Sequence, residues 1–144
     1  DKVMRVNLSG VFLVGRAVAR HMKERGRGRI VNISSINASL VRPGIGNYCA
    51  AKGGVVTLTK SMATEWGPHG ITVNAIGPGY FLTELTRPLA EDPAFDEWVR
   101  GEVPLRRWGN PEELIGLAVL LAGDGASYIS GQTIYIDGGW QACL

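Results

Sequence analysis

Two short apolar runs, Ile30-Val31-Asn32-Ile33 and Ile71-Thr72-Val73-Asn74-Ala75-Ile76, constrain the fold of this chain more than any other feature. Neither has the strict alternation of a strand with one wet face. Ile30 to Ile33 predicts a strand buried on both faces, as in a parallel sheet, and Ile71 to Ile76 predicts the next one. Ser34-Ser35 follow the first run and Gly77-Pro78-Gly79 the second. Open α/β sheets bind their ligands at those carboxyl ends.

The rest of the chain supplies the covering elements. Lys2 to Arg25 predicts a helix whose apolar residues (Val3, Val6, Leu8, Val11 to Val14, Val18, Met22) spread over more than one face. Such a helix is buried on two sides, against the sheet and a partner, or is wholly buried within the chain. Arg25-Gly26-Arg27-Gly28-Arg29 reads as a turn and Ile36 to Gly46 as a loop over the cleft. Tyr48 to Trp66 predicts a second helix, stopped by Gly67-Pro68. Residues 84–110 read as a lid with helical segments at Leu85 to Ala90 and Ala94 to Arg100. Pro111-Glu112-Glu113 opens a further helix, with Leu114 to Leu121 as its apolar stripe, and Gln132 to Ile136 predicts the last strand. No repeat or linker divides residues 1–144, which read as a single unit.

Composition excludes several functions. The chain has 144 residues, 45% of them hydrophobic and 19% charged, as in an ordinary globular domain. No apolar run approaches the roughly 18 residues that span a bilayer, and no leader pattern opens the chain, so the expected location is cytoplasmic. A net charge of +2 with scattered arginines gives nucleic-acid binding no support. Cys49 and Cys143 are too few for a disulfide framework or a metal site and are expected as free thiols, Cys49 either as a small packing residue or as a redox handle.

Chemistry concentrates at Asn47-Tyr48-Cys49-Ala50-Ala51-Lys52-Gly53-Gly54. Tyr48 and Lys52 are one helical turn apart and share a face. A cation within a few Å of a phenol favours the phenolate, so the pair can serve as a general acid and base. The same spacing also describes a solvated face with the lysine stem lying on the ring.

Ser35, Tyr48-x-x-x-Lys52 and Pro78-Gly79, in this order and spacing, resemble the C-terminal half of the short-chain dehydrogenase/reductase family. Asn7-Leu8-Ser9-Gly10 and Asp137-Gly138-Gly139 extend the resemblance over essentially the whole chain. It implies a Rossmann-type doubly wound parallel sheet, of which this chain forms the C-terminal half. The first residue is Asp1, inside a helical pattern, and the glycine-rich phosphate turn of the family's first half is not in this sequence, so the chain is expected to be a piece of a longer protein.

The resemblance also implies a site. Its catalytic residues are Asn7, Ser35, Tyr48 and Lys52. The cofactor, NAD or NADP, meets Ile33, Ser34, Tyr48, Lys52, Pro78, Gly79, Phe81 and Thr83. Substrate meets Ser35, Asn37, Arg42, Tyr48 and Tyr80; Arg42 either binds a substrate carboxylate or is a solvated loop arginine. No metal is expected. The implied reaction interconverts a secondary alcohol and a ketone, and the implied assembly is a homodimer or homotetramer through helices 2–25 and 48–66.

Within the family, the segments Pro78 to Thr86, Asp92 to Trp98 and Arg107 to Gly116 look most similar to gluconate 5-dehydrogenases, which act on a sugar acid. A 3-oxoacyl-carrier-protein reductase is the alternative. From another class, a strand at Ile30 to Ile33 with an unpaired edge also fits an inactive fragment that self-associates.

Overall fold

The computed structural model describes residues 1–143. Its strands, β1 (Gly28–Ile33), β2 (Ile71–Pro78) and β3 (Thr133–Ile136), form one parallel sheet in the order β1-β2-β3. Ile30 pairs with Val73 and Ile33 with Ile76, while Ala75 pairs with Thr133. β2 is central and buried from Ile71 through Gly77, which is why its sequence lacks alternation.

Parallel neighbours need crossovers. α3 (Gly46–Trp66) joins β1 to β2, and α4 (Arg87–Ala90), α5 (Pro93–Glu102) and α6 (Ile115–Ala122) lie between β2 and β3. Adjacent strand residues point to opposite faces. Ile30, Ile71 and Val73 pack with Ala19, Met62 and Trp66 on one face, whereas Val31 and Ile76 pack with Leu121 and Ala126 on the other.

Both strand runs contain an asparagine, and each is satisfied. Asn32 Nδ2 donates to Thr59 Oγ1 at 2.9 Å, pinning β1 to α3. Asn74, fully buried, donates to the Ile129 carbonyl at 2.7 Å and accepts the Gln132 amide at 3.1 Å. It therefore sets the segment that enters β3.

The first helix departs from the sequence expectation in two ways. α1 (Lys2–Met4) and α2 (Gly10–Arg25) are joined by a π turn at Arg5–Ser9, and α2 ends where Gly26 adopts φ 64°. Moreover, the helix is buried on one side only. Gly15 and Ala19 face Met62 and Trp66, while Val6, Leu13 and Val14 remain more than half exposed. Full burial within the chain is excluded, because α3 and the sheet cover only one stripe.

Residues 84–110, the expected lid, form a layer docked on the rest of the chain. Phe81 bridges Gly109, and Arg107 makes two bonds of 2.7 Å to the Glu113 carboxylate. Glu113 also accepts the Asn110 amide, and these bonds hold its carboxyl down to about 2. Val99, Val103 and Trp108 of the lid pack on Ile36 and Trp140. Among the described residues no helix is long and apolar enough to cross a membrane, and no group of three or more His, Cys, Asp or Glu could hold a metal ion.

Asn74→Ala strips partners from the Ile129 carbonyl and the Gln132 amide. We expect a loss of about 1–3 kcal/mol, read as a lower urea midpoint at unchanged slope. An unchanged midpoint would show that Asn74 does not set the entry to β3.

Candidate functional site

The site grows from the carboxyl end of β1. Ser34, buried, receives its position twice: its amide donates to the Ile76 carbonyl at 2.7 Å, and its hydroxyl donates to the Lys52 carbonyl at 3.0 Å. That second bond ties α3 to the strand end. Lys52 is only 8% exposed, and its Nζ donates to the Ile33 carbonyl at 2.9 Å. The same ammonium lies 5.6 Å from the centre of the Tyr48 ring. Burial pushes Lys52 below its ordinary value of 10.5. An ammonium has three donors, and among the described residues the protein engages one of them.

Ser35 caps the 3-10 turn Ile36–Ala38, and its Oγ accepts the Asn37 amide at 3.1 Å. The hydroxyl proton stays available to donate. Ser35, Asn37, Arg42, Tyr48 and Tyr80 all line one cavity of about 190 Å³, together with Gly79 and Thr86. Thus every residue expected to meet substrate borders the same space, although the residues come from the loop after β1, from α3 and from the turn after β2.

Tyr80 is held in an aromatic cage. Its ring lies 5.4 to 5.9 Å from those of Phe95, Trp98, Trp108 and Trp140. Burial raises its hydroxyl above the ordinary 10.0, and the Arg42 charge opposes that rise. The Arg42 guanidinium in turn sits 5.6 Å from the centre of the Phe95 ring.

Of the remaining expected residues, Gly79 alone lines that cavity. Asn7 is in the π turn, where Nδ2 donates to the Val3 carbonyl at 3.1 Å. Its neighbour Leu8 packs on Gly54, where a Cβ would come within 2.9 Å of the Leu8 methyls. Gly54 therefore lets the first helical segment approach α3 closely. Ile33 is half exposed at the strand end. Pro78-Gly79 meets Asp137-Gly138-Gly139 in space: the Gly79 amide donates to the Ile136 carbonyl at 2.8 Å, and a Gly79 Cβ would come within 2.8 Å of Asp137 Cα. Phe81 is buried in the lid bridge, and the Thr83 hydroxyl is engaged by Thr86 at 2.9 Å.

Two residues escaped the sequence reading. Thr86 bonds the Thr83 amide at 2.9 Å and the Phe81 carbonyl, fixing the turn above the cavity; the Thr-x-x-Thr spacing was the available signal. Gln141 donates to Ser39 Oγ at 2.6 Å, and Asp137 holds the Gln141 amide at 2.8 Å, so the last turn braces the loop after Ser35. Nothing local in the sequence marks a contact between residues 39 and 141.

A short-chain dehydrogenase family model, described as enoyl-(acyl carrier protein) reductase, matches residues 1–141. The chain belongs to the short-chain dehydrogenase/reductase family. Among its family relatives, it is 51% identical over 144 residues to gluconate 5-dehydrogenase of Gluconobacter oxydans, covering 100% of this chain and 56% of that protein. It is 47% identical over 139 residues to 5-keto-D-gluconate 5-reductase of Escherichia coli, covering 96% of this chain and 55% of that protein. The chain thus spans little more than half the length of these relatives. A crystal structure of a gluconate 5-dehydrogenase from Burkholderia cenocepacia, in complex with NADP and tartrate, superposes with a TM-score of 0.95 at 48% identity, covering 98% of this chain and 55% of that one. The chain therefore has the expected C-terminal half of a Rossmann-type parallel sheet.

The buried ammonium sets a pH dependence. Because the folded-state value of Lys52 lies below 10.5, the unfolded chain binds more protons between that lowered value and 10.5. Stability therefore rises with pH across this window. Urea midpoints compared between pH 8 and 10 should show a rise in the wild type that Lys52→Met lacks. An equal rise in both would place the titration elsewhere.

Proposed function

We propose that this chain provides the proton-handling and substrate-binding part of an NAD- or NADP-dependent oxidoreductase that interconverts a secondary alcohol and a ketone, with a sugar acid such as gluconate and its 5-keto form as substrate. One observation carries the reading: the Ser35 hydroxyl and the Tyr48 phenol border a single cavity, with the Lys52 ammonium 5.6 Å from the phenol ring.

The residues suit a nicotinamide nucleotide. A buried ammonium with one protein bond has donors left for a ribose diol, and the half-exposed Ile33 beside it offers an apolar seat. Ser34, Pro78 and Gly79 lie at the neighbouring strand ends and Phe81 and Thr83 in the segment after β2; all five would border that nucleotide. When bound, the nicotinamide supplies or accepts the hydride.

The chain's own residues manage the proton. Tyr48 takes the proton from the substrate hydroxyl in oxidation and returns it in reduction. Ser35 donates its free hydroxyl proton to the substrate oxygen and holds that oxygen beside Tyr48. Lys52 supplies a positive field at the phenol, strengthened by its burial. Asn7, next to the packed Leu8, holds a water that connects Lys52 to solvent. Asn37, Arg42 and Tyr80 line the cavity around the substrate's remaining groups.

We place the protein in the cytoplasm. The exposed apolar residues of α2, with the neighbouring π turn, support a homodimer or homotetramer through helices 2–25 and 48–66.

Tyr48→Phe removes the proton-carrying oxygen and keeps the ring. Turnover of gluconate by the purified protein should fall by at least about 10²-fold, with nucleotide affinity changed less than about threefold. Retained turnover would contradict the reading. Preference of the wild type for an acetoacetyl thioester over gluconate would overturn the sugar-acid assignment.

A further inference from the structure

Arg42 is the one residue bordering the cavity that carries a full charge, and its guanidinium is only partly engaged. Its guanidinium carbon lies over the Phe95 ring, 5.6 Å from the ring centre, within the range of a cation–π contact. Its Nε is buried without a hydrogen-bond partner among the described residues, and none of the ion pairs in those residues involves it. Buried donors of this kind are otherwise paired. Arg42 also borders a second cavity of about 310 Å³, together with Asp92, Phe95 and Trp98. Its charge reaches into the first cavity, where it opposes the upward shift of the Tyr80 hydroxyl.

We infer that Arg42 is the carboxylate anchor of this site, binding the acid end of an anionic polyol and thereby setting which substrate carbon lies at Tyr48. The inference rests on the oxidoreductase reading of the cavity. A guanidinium held over a ring by its charge keeps its fork of N–H donors for other partners, and that fork matches the two oxygens of a carboxylate. With the acid end fixed at Arg42 and the reacting hydroxyl fixed between Ser35 and Tyr48, only a carbon at one separation along the chain can react. A neutral polyol or an acyl thioester offers no anion to this anchor. Because Phe95 belongs to α5, the lid positions the anchor.

The test compares gluconate with D-sorbitol, a neutral six-carbon polyol, in wild type, Arg42→Met and Arg42→Lys. Losing a charge-assisted bond should lower kcat/KM for gluconate about 10–100-fold in Arg42→Met, mainly through KM. Sorbitol should change less than about threefold, and Arg42→Lys, which keeps the charge and stem, should recover part of the gluconate loss. Equal losses on both substrates, or no loss on gluconate, would overturn the assignment. Calorimetric titration of gluconate with NADP present separates this inference from the functional reading. If the wild type turns over neither compound, that reading fails; the anchor still stands if gluconate binds wild type and not Arg42→Met. It falls if gluconate binds both alike or neither.

Discussion

A single buried ammonium organises this molecule. Removing a charged lysine from water is costly unless the charge gains partners, and the protein gives Lys52 the Ile33 carbonyl and the Tyr48 ring. For that arrangement β1 must end at Ile33, Ser34 must hold the Lys52 carbonyl, and Asn32 must pin the strand to α3 through Thr59. Gly54 must lack a side chain so that Leu8 can close over the helix. Several local choices in the sequence therefore serve one electrostatic requirement.

The cavity lined by Ser35 and Tyr48 has an aromatic residue, Tyr80, on its other side. Tyr80, Phe95, Trp98, Trp108 and Trp140 interlock through tilted and edge-to-face contacts, which fix ring positions more tightly than aliphatic packing would. Trp108 is further held by its indole N–H, which donates to Asp96 at 2.8 Å. A polar wall from the loop after β1 and from α3 thus faces Tyr80, which the rings of Phe95, Trp98, Trp108 and Trp140 surround. Arg42 is suspended between them.

Much of this was legible in the sequence, for identifiable reasons. The strands were readable because continuous apolar runs report burial on both faces, and the observed β1 and β2 contain the expected Ile30–Ile33 and Ile71–Ile76. Tyr48 and Lys52 were readable because helical spacing alone puts them on one face. The π turn was not, since a change of hydrogen-bond register leaves no composition signal at Arg5–Ser9. The aromatic cage was hidden for another reason: its rings come from residues 80, 95, 98, 108 and 140, brought together only by tertiary packing. The same holds for the brace between Gln141 and Ser39. The two-sided burial expected of the first helix followed from its composition, yet the chain itself covers only one stripe.

The central claim is that the buried Lys52 ammonium, with donors to spare, is completed by a nicotinamide nucleotide. Fluorescence titration of NADH and NADPH against wild type and Lys52→Met, with folding of both verified by circular dichroism, tests it most directly. The account predicts that the nucleotide bound by the wild type binds at least about tenfold more weakly to Lys52→Met. Equal affinity in the two proteins would contradict it.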